Sequence, residues 1–254
     1  MARPADPTAR SSLIAAAREE FVRSGILKAR IEDITAACGL SKGAFYLHFE
    51  SKEALFRELV TALEDQFERL RAEREQQYQS MVRAREGATR KHPADAVDPS
   101  LLDRLQELDL REDRRLLELM WTWRDVVDVL LRGSQGTEFE GVVWQILDQQ
   151  LERVREECLN LQQVRLMRDD IASDILGMMV VGTYLLVVRR LASSKDKPDF
   201  EALVRGIQSV MATGVSARAG DWGAALPPRV STRAKKKKAS ALDARTNQQK
   251  RSSR

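Results

Sequence analysis

IEDITAACGLSKGAFYLHFESKEALFREL, residues 31–59, is the stretch whose reading decides the fold. Gly39-Leu40-Ser41 divides it into two short segments of helical period. Before the turn, Ile31, Ile34 and Ala37 share a face, so a helix is predicted over Ile31–Cys38, with Glu32 and Asp33 in its first turn where they suit the dipole. Gly39 can take the left-handed conformation, Leu40 packs inward, and Ser41 is a natural N-cap for a helix over Lys42–His48. Ser51 caps a fourth helix whose stripe is Leu55, Leu59, Leu63, Phe67 and Leu70, predicted to run to about residue 85. Upstream, residues 8–24 read as the first helix, with Leu13, Ala16, Ala17 and Phe21 inward and Gly25 ending it. Two short helices across a tight glycine turn make a helix-turn-helix, whose second helix would lie in the major groove of DNA.

The residues suit that task. Gly43 and Ala44 open the recognition helix with almost no side chain, so its backbone can approach DNA closely. Ser41 and Lys42 stand at the helix N-terminus, where the dipole favours anions. Tyr46 and His48 carry hydrogen-bonding tips on the same helix, and Lys52 opens the next one in reach of a backbone phosphate. Phe45 and Phe49 are assigned to a small core with Phe21, Ile26, Ile34 and Leu40.

Ile34, Ala37, Gly39, Leu40, Ser41, Lys42, Gly43, Tyr46, Phe49, Ser51-Lys52-Glu53 and Leu55 together resemble the DNA-binding signature of TetR/AcrR-family transcriptional regulators. The resemblance covers about 50 residues; beyond them only helix number and length agree. It implies that Tyr46, His48 and Lys52 hold phosphates and that Lys42, Gly43 and Ala44 lie near bases. Two positions depart from the family pattern. Arg30 stands where a Thr usually caps the second helix, so the cap, worth roughly 1 kcal/mol, is lost while a phosphate contact is kept. Thr35 stands where Ala is usual and is expected either to face DNA or to face solvent.

The remaining sequence is also helical. Of 254 residues 43% are hydrophobic and 31% charged, and strand-like alternation is missing. Helices are expected over 100–110, 112–132, 138–162, 168–192 and 199–217, with a loop at 86–100. The expected architecture is all-α: a helix-turn-helix domain (1–52), a helical regulatory and dimerisation domain (53–219), and a disordered basic tail (220–254). The net charge of +4 is unevenly placed. Residues 229–254 hold ten Lys or Arg and one Asp, leaving −5 on the rest, so the basic character belongs to the tail. That tail could add salt-sensitive affinity for DNA.

Cys38 and Cys158 are expected as free buried thiols in a reducing cytoplasm. With two Cys, two His and no ligand spacing, no metal site and no cofactor is expected. Residues 1–12 lack an apolar stretch, and the apolar run Ile175–Val188 is 14 residues long, short of a membrane span, so a cytoplasmic protein is expected. No nucleophile–base set or phosphate-binding loop supports an enzyme.

Asp125 and Asp128 sit on an otherwise apolar helix and need partners, with Arg124 and Arg132 the local candidates. The resemblance implies a small-molecule pocket in this region, with Met120, Trp123, Val127, Trp144, Leu147, Met178 and Tyr184 as candidate lining and an apolar or aromatic ligand with a few polar groups. It also implies that the last two helices pair with those of a second copy, Gly177, Gly182, Met178 and Met179 allowing close contact. The functional expectation is a homodimeric repressor on a palindromic double-stranded DNA operator, released by a small molecule. The alternative is an activator or DNA-organising protein with the same head and no small-molecule ligand.

Overall fold

A computed structural model describes residues 7–89, 99–163 and 167–215; the expected basic tail and most of the expected loop at 86–100 lie outside them. The elements are α1 (Pro7–Lys28), α2 (Ile31–Ala37), α3 (Lys42–Tyr46), α4 (Lys52–Thr89), α5 (Pro99–Thr122), α6 (Arg124–Asp128) with a π-helical turn at Val129–Gly133, α7 (Val142–Gln163), α8 (Ser173–Ala192) and α9 (Phe200–Val215). Among the described residues there is no strand, and the all-α expectation holds.

Local chemistry accounts for the helix ends. Gly25 (φ 70°, ψ 165°) kinks the chain inside α1, and one further turn follows it to Lys28. α2 closes on Gly39 (φ 70°): Leu40 N–H donates to Thr35 O (2.9 Å) and Gly39 N–H to Ala36 O (3.2 Å), which is the Schellman closure. Ser51 Oγ accepts from Ala54 N (3.0 Å) at the start of α4, and Asp199 Oδ1 accepts from Ala202 N (3.0 Å) at the start of α9.

Three expected boundaries are corrected. The helices expected over 100–110 and 112–132 share one unbroken α5, since residues 110–112 (Leu-Arg-Glu) contain nothing that ends a helix. The break falls later, at Trp123 (φ −104°, ψ 16°), before α6 and the π turn. α8 begins at Ser173 rather than 168, because the Gln162 side chain donates to the carbonyls of Arg168 (2.9 Å) and Ile171 (2.8 Å) and holds that segment out of the helix.

Head and body share a core. Phe21 meets Phe56 edge-on (5.3 Å), Phe56 meets Phe139 (5.0 Å), and Ile34, Phe45, Leu55, Leu59, Leu63, Trp123 and Val126 belong to the same buried cluster. A second cluster (Leu117, Leu191, Phe200, Val204) joins α5, α8 and α9. Trp121 and Trp123 point to different clusters, as their spacing suggests. Asp128 pairs with Arg132 as expected. Asp125 does not pair with Arg124, which stacks on Trp121; its partner is Arg18 of α1.

Candidate nucleic-acid interface

α3 is five residues long, too short to hold itself in water, so its place is set by one cap and one anchor. Ser41 Oγ accepts from Ala44 N (3.1 Å), and the fully buried Phe45 pins the inner face. The outer face then carries exposed Lys42, Gly43, Tyr46 (51% exposed) and Leu47 (69%). A Cβ on Gly43 would meet only Ser41 Oγ, at 3.7 Å, so glycine there keeps the face bare rather than relieving crowding within the chain. Tyr46 stands edge-on against Phe45 (5.6 Å), which directs its hydroxyl end outward, and His48 is half-buried beside Phe49. Ala44 is partly buried at the cap.

Lys42 Nζ is 2.7 Å from Glu32 Oε1 of α2. The hydrogen bond, then the charge, holds the Lys42 ammonium above and the Glu32 carboxyl below their ordinary ranges. Glu32 was expected to serve only the helix dipole; its presence on the recognition face is legible only once α2 and α3 are docked. An anion approaching Lys42 must displace this carboxylate. Glu32→Gln is therefore expected to tighten binding to arbitrary duplex DNA and to steepen the dependence of log K on log salt by about one phosphate contact; filter binding across a salt series that shows no change in slope removes Glu32 from the interface.

Arg30 occupies the N-cap of α2 in extended conformation (φ −117°), makes no side-chain cap and is exposed, 4.0 Å from Glu32. Two expected DNA contacts are corrected. Thr35 is 4% exposed, and its hydroxyl donates to Ile31 O (3.0 Å) and Glu32 O (3.1 Å), so it faces neither DNA nor solvent. Lys52 donates to the carbonyls of Leu27 (2.9 Å) and Ala29 (2.8 Å), and its side chain is mostly buried. It clasps the end of α1 to the start of α4 instead of reaching outward. Leu47, an exposed leucine beside the recognition helix, is a further surface residue that periodicity did not single out.

The head is tied to the body at the helix break. Arg18 of α1 grips Asp125 through two bonds of 2.6 Å, donates to Thr122 O (3.1 Å) and lies over the Trp123 ring (5.1 Å). Burial pushes the Asp125 carboxyl up, but the Arg18 hydrogen bonds and charge outweigh it and hold the group below the ordinary carboxylate range. An open crevice of about 450 Å³ at this junction is lined by Arg18, Glu19, Val22, Thr122, Arg124 and Asp125, and contains none of the expected ligand-lining residues.

Those seven residues are brought together only in part: Met120 packs with Trp123 and Val127 in one cluster and against the other with Tyr184. Trp123 and Val127 are packed into the core shared with the head, with Trp123 Nε1 3.3 Å from Gln66 Oε1. Met120 touches both clusters, Leu147 is half-buried on α7, and Tyr184 packs against the second cluster. Trp144 (64% exposed) and Met178 (54%) lie on the surface of the chain. Met178 belongs to an exposed apolar stripe on α8 with Ile175, Met179 and Leu186. Gly177 is corrected as well. A Cβ there would sit 3.4 Å from Leu151 Cδ1 and 3.5 Å from Arg155 N, so this glycine lets α8 pack on α7 of the same chain. Cys38 and Cys158 are free thiols, as expected.

Residues 13–59 match the family described as "Bacterial regulatory proteins, tetR family". The HTH-type transcriptional regulator YerO of Bacillus subtilis is 57% identical over 35 residues, 14% of this chain and 12% of that protein. The "Probable acrEF/envCD operon repressor" of Escherichia coli is 40% identical over 50 residues, 20% of this chain and 23% of that protein. The matched segments thus span under a quarter of these relatives' lengths. The solved structure of the ketosteroid transcriptional regulator KstR2 of Mycobacterium tuberculosis superposes with a TM-score of 0.57 at 18% identity, covering 83% of this chain and 96% of that one. The family match lies in the head, and the likeness of fold extends through the body.

Proposed function

We propose that this chain, whose residues 13–59 match the tetR family of bacterial regulatory proteins, is a homodimeric transcriptional repressor of that family, released from a palindromic operator when its helical body takes up a small molecule. The observation that carries the DNA reading is the outward face of α3: Lys42, bare Gly43 and Tyr46 presented together on a helix whose other face is locked by Phe45. Donors at a helix N-terminus reach phosphates and base edges, and a side-chain-free position admits the backbone to the groove.

A dimer is supported by the stripe of Ile175, Met178, Met179 and Leu186 on α8 and by exposed Val210 on α9. α8 is long and apolar enough to cross a membrane by length and composition, with 17% of that window buried in the chain. Its exposed apolar positions 175, 178/179 and 186 lie three or four and then seven residues apart, which puts them on one face that could meet a partner helix. Two copies would carry two α3 helices to successive turns of duplex DNA, which suits a palindrome. Release is supported by the Arg18–Asp125 grip, which ties the head to the broken helix α5–α6, so a rearrangement of the body reaches the head. A cytoplasmic location follows from a DNA target.

Lys42→Ala and Tyr46→Ala are each expected to weaken binding to duplex DNA from upstream of the protein's own gene by roughly 1–3 kcal/mol, about tenfold or more. Both side chains are exposed, so thermal unfolding stays near the parent value. Unchanged affinity in both variants, measured by fluorescence anisotropy, overturns the assignment of the site.

A further inference from the structure

Two acids stand in the first turn of α2, and they go different ways. Asp33 faces Arg23 of α1, 4.0 Å away. Glu32 reaches across the turn to Lys42, the first residue of α3, and the 2.7 Å pair stands open, with 50% of the Glu32 side chain and 53% of Lys42 exposed. Lys42 shares the outer face of α3 with Gly43 and Tyr46, so the Glu32 carboxylate lies on the face proposed to meet DNA.

A carboxylate there is costly. It repels the phosphates of every duplex, whatever the sequence. An open surface ion pair contributes little stability in return. The dipole of α2 would be served by Asp33 without it. The pair also keeps bonding capacity for a third group. The Lys42 ammonium has three N–H groups and gives one to Glu32 Oε1. Glu32 Oε2 lies 4.0 Å from Arg30 Nε, too far for a hydrogen bond. A donor and an acceptor are thus held side by side with neither exhausted.

From this geometry we propose that Glu32 and Lys42 act as a unit to read one C·G base pair in each half-site, Glu32 accepting from cytosine N4 and Lys42 donating to guanine O6 or N7. The proposal rests on the reading that α3 enters the major groove, and it names the base pair that the groove must offer. The choice of pair follows from the order of groups along the groove edge. C·G shows the cytosine amino donor beside the two guanine acceptors, which stand together. A carboxylate on that amino group has acceptors on one side only, where the ammonium covers them. A·T shows the adenine amino group between two acceptors, adenine N7 and thymine O4. A carboxylate set there faces one acceptor that Lys42 leaves uncovered. Glu32 thereby gives up affinity for all DNA in exchange for discrimination at one position.

Enrichment of a random duplex library by the full-length protein, read by sequencing, tests this with the parent, Glu32→Gln and Lys42→Ala. The parent is expected to enrich a two-fold symmetric sequence with one C·G pair in each half-site whose exchange for A·T weakens binding about tenfold. In Glu32→Gln that preference is expected to fall below about twofold or to pass to A·T, since a glutamine amide pairs with adenine N6 and N7, while affinity for arbitrary duplex rises. Lys42→Ala is expected to lose the preference at the same base pair without that rise. A purely electrostatic role for Glu32 would move every duplex alike. If Glu32→Gln tightens all binding equally and still enriches the parent's sequence, or if the two variants do not lose preference at the same base pair, the proposal is overturned. A parent that enriches no sequence overturns the DNA reading itself, and this inference with it.

Discussion

Phe45→Ala is expected to cost about 3–5 kcal/mol of stability, the range for deleting a fully buried phenylalanine, and with it the DNA-binding activity of the head. Phe45 has no exposed surface and stands at the centre of an aromatic set: 5.6 Å from Phe49, 5.6 Å from Tyr46, in one cluster with Phe21, Ile34 and Phe56. Neighbours on three helices meet at this ring, so the cavity cannot close by shifting one side chain. The consequence for function is larger than for folding as a whole. α3 is a five-residue helix whose Ser41 cap contributes only about 1 kcal/mol, so without Phe45 nothing fixes the outward direction of Lys42 and Tyr46. Circular dichroism melting and DNA anisotropy measure the two effects. Phe45→Leu keeps most of the apolar volume and is expected to recover most of both. A loss below about 1 kcal/mol for Phe45→Ala rejects the packing account.

Much of the head is legible in sequence because its determinants are local. Gly25, Gly39, Ser41 and Ser51 act on backbone atoms within five residues of themselves, so a helix end or a turn can be assigned from one window. The misassignments in the head come from contacts that no window contains. Lys52 meets carbonyls 25 and 23 residues earlier, and Glu32 meets Lys42 across the turn. Thr35 follows a different rule: a hydroxyl can satisfy itself on the preceding turn and then be buried like an apolar residue. In the body the same reasoning reaches further. Trp144 and Met178 are apolar and look like pocket lining, but an apolar residue on a helix equally suits a face meant for another chain. An ion network about Arg74 of α4 draws residues 74, 109, 113, 153, 157, 184 and 208 together, a set unreadable as a pattern. One signal was available: Asp109 and Asp113 lie four apart, on one face of a helix that also carries Leu105 and Leu117.

Gly25→Val is the second substitution with a large expected effect, and it separates two causes that a glycine can combine. At φ 70° and ψ 165°, Gly25 occupies backbone space that is essentially closed to residues with a Cβ, which costs roughly 1–3 kcal/mol to enforce. Space is closed too: a Cβ there would lie 3.2 Å from Gly133 O and 3.5 Å from Gly133 Cα, main-chain atoms at the end of the π turn. Strain and collision add, and the collision falls where α1 is seated on the body beside the Arg18–Asp125 grip. Gly39→Ala shares the positive φ (70°) but meets nothing within 4 Å, so it isolates the strain, about 1 kcal/mol. Gly133→Ala has ordinary backbone angles but a Cβ 3.2 Å from Gly25 Cα, so it isolates the contact. In urea titrations Gly25→Val is expected to lose more than either, because strain and contact fall on one residue and its ψ of 165° is the more closed to a Cβ. DNA affinity follows a different order: Gly39→Ala loosens the turn that aims α3, whereas Gly133→Ala leaves the head intact and acts only through its seat. If Gly25→Val is no worse than Gly39→Ala, the backbone contact between α1 and the π turn carries no weight, and the seat of α1 on the body rests on the shared core and the Arg18–Asp125 pair.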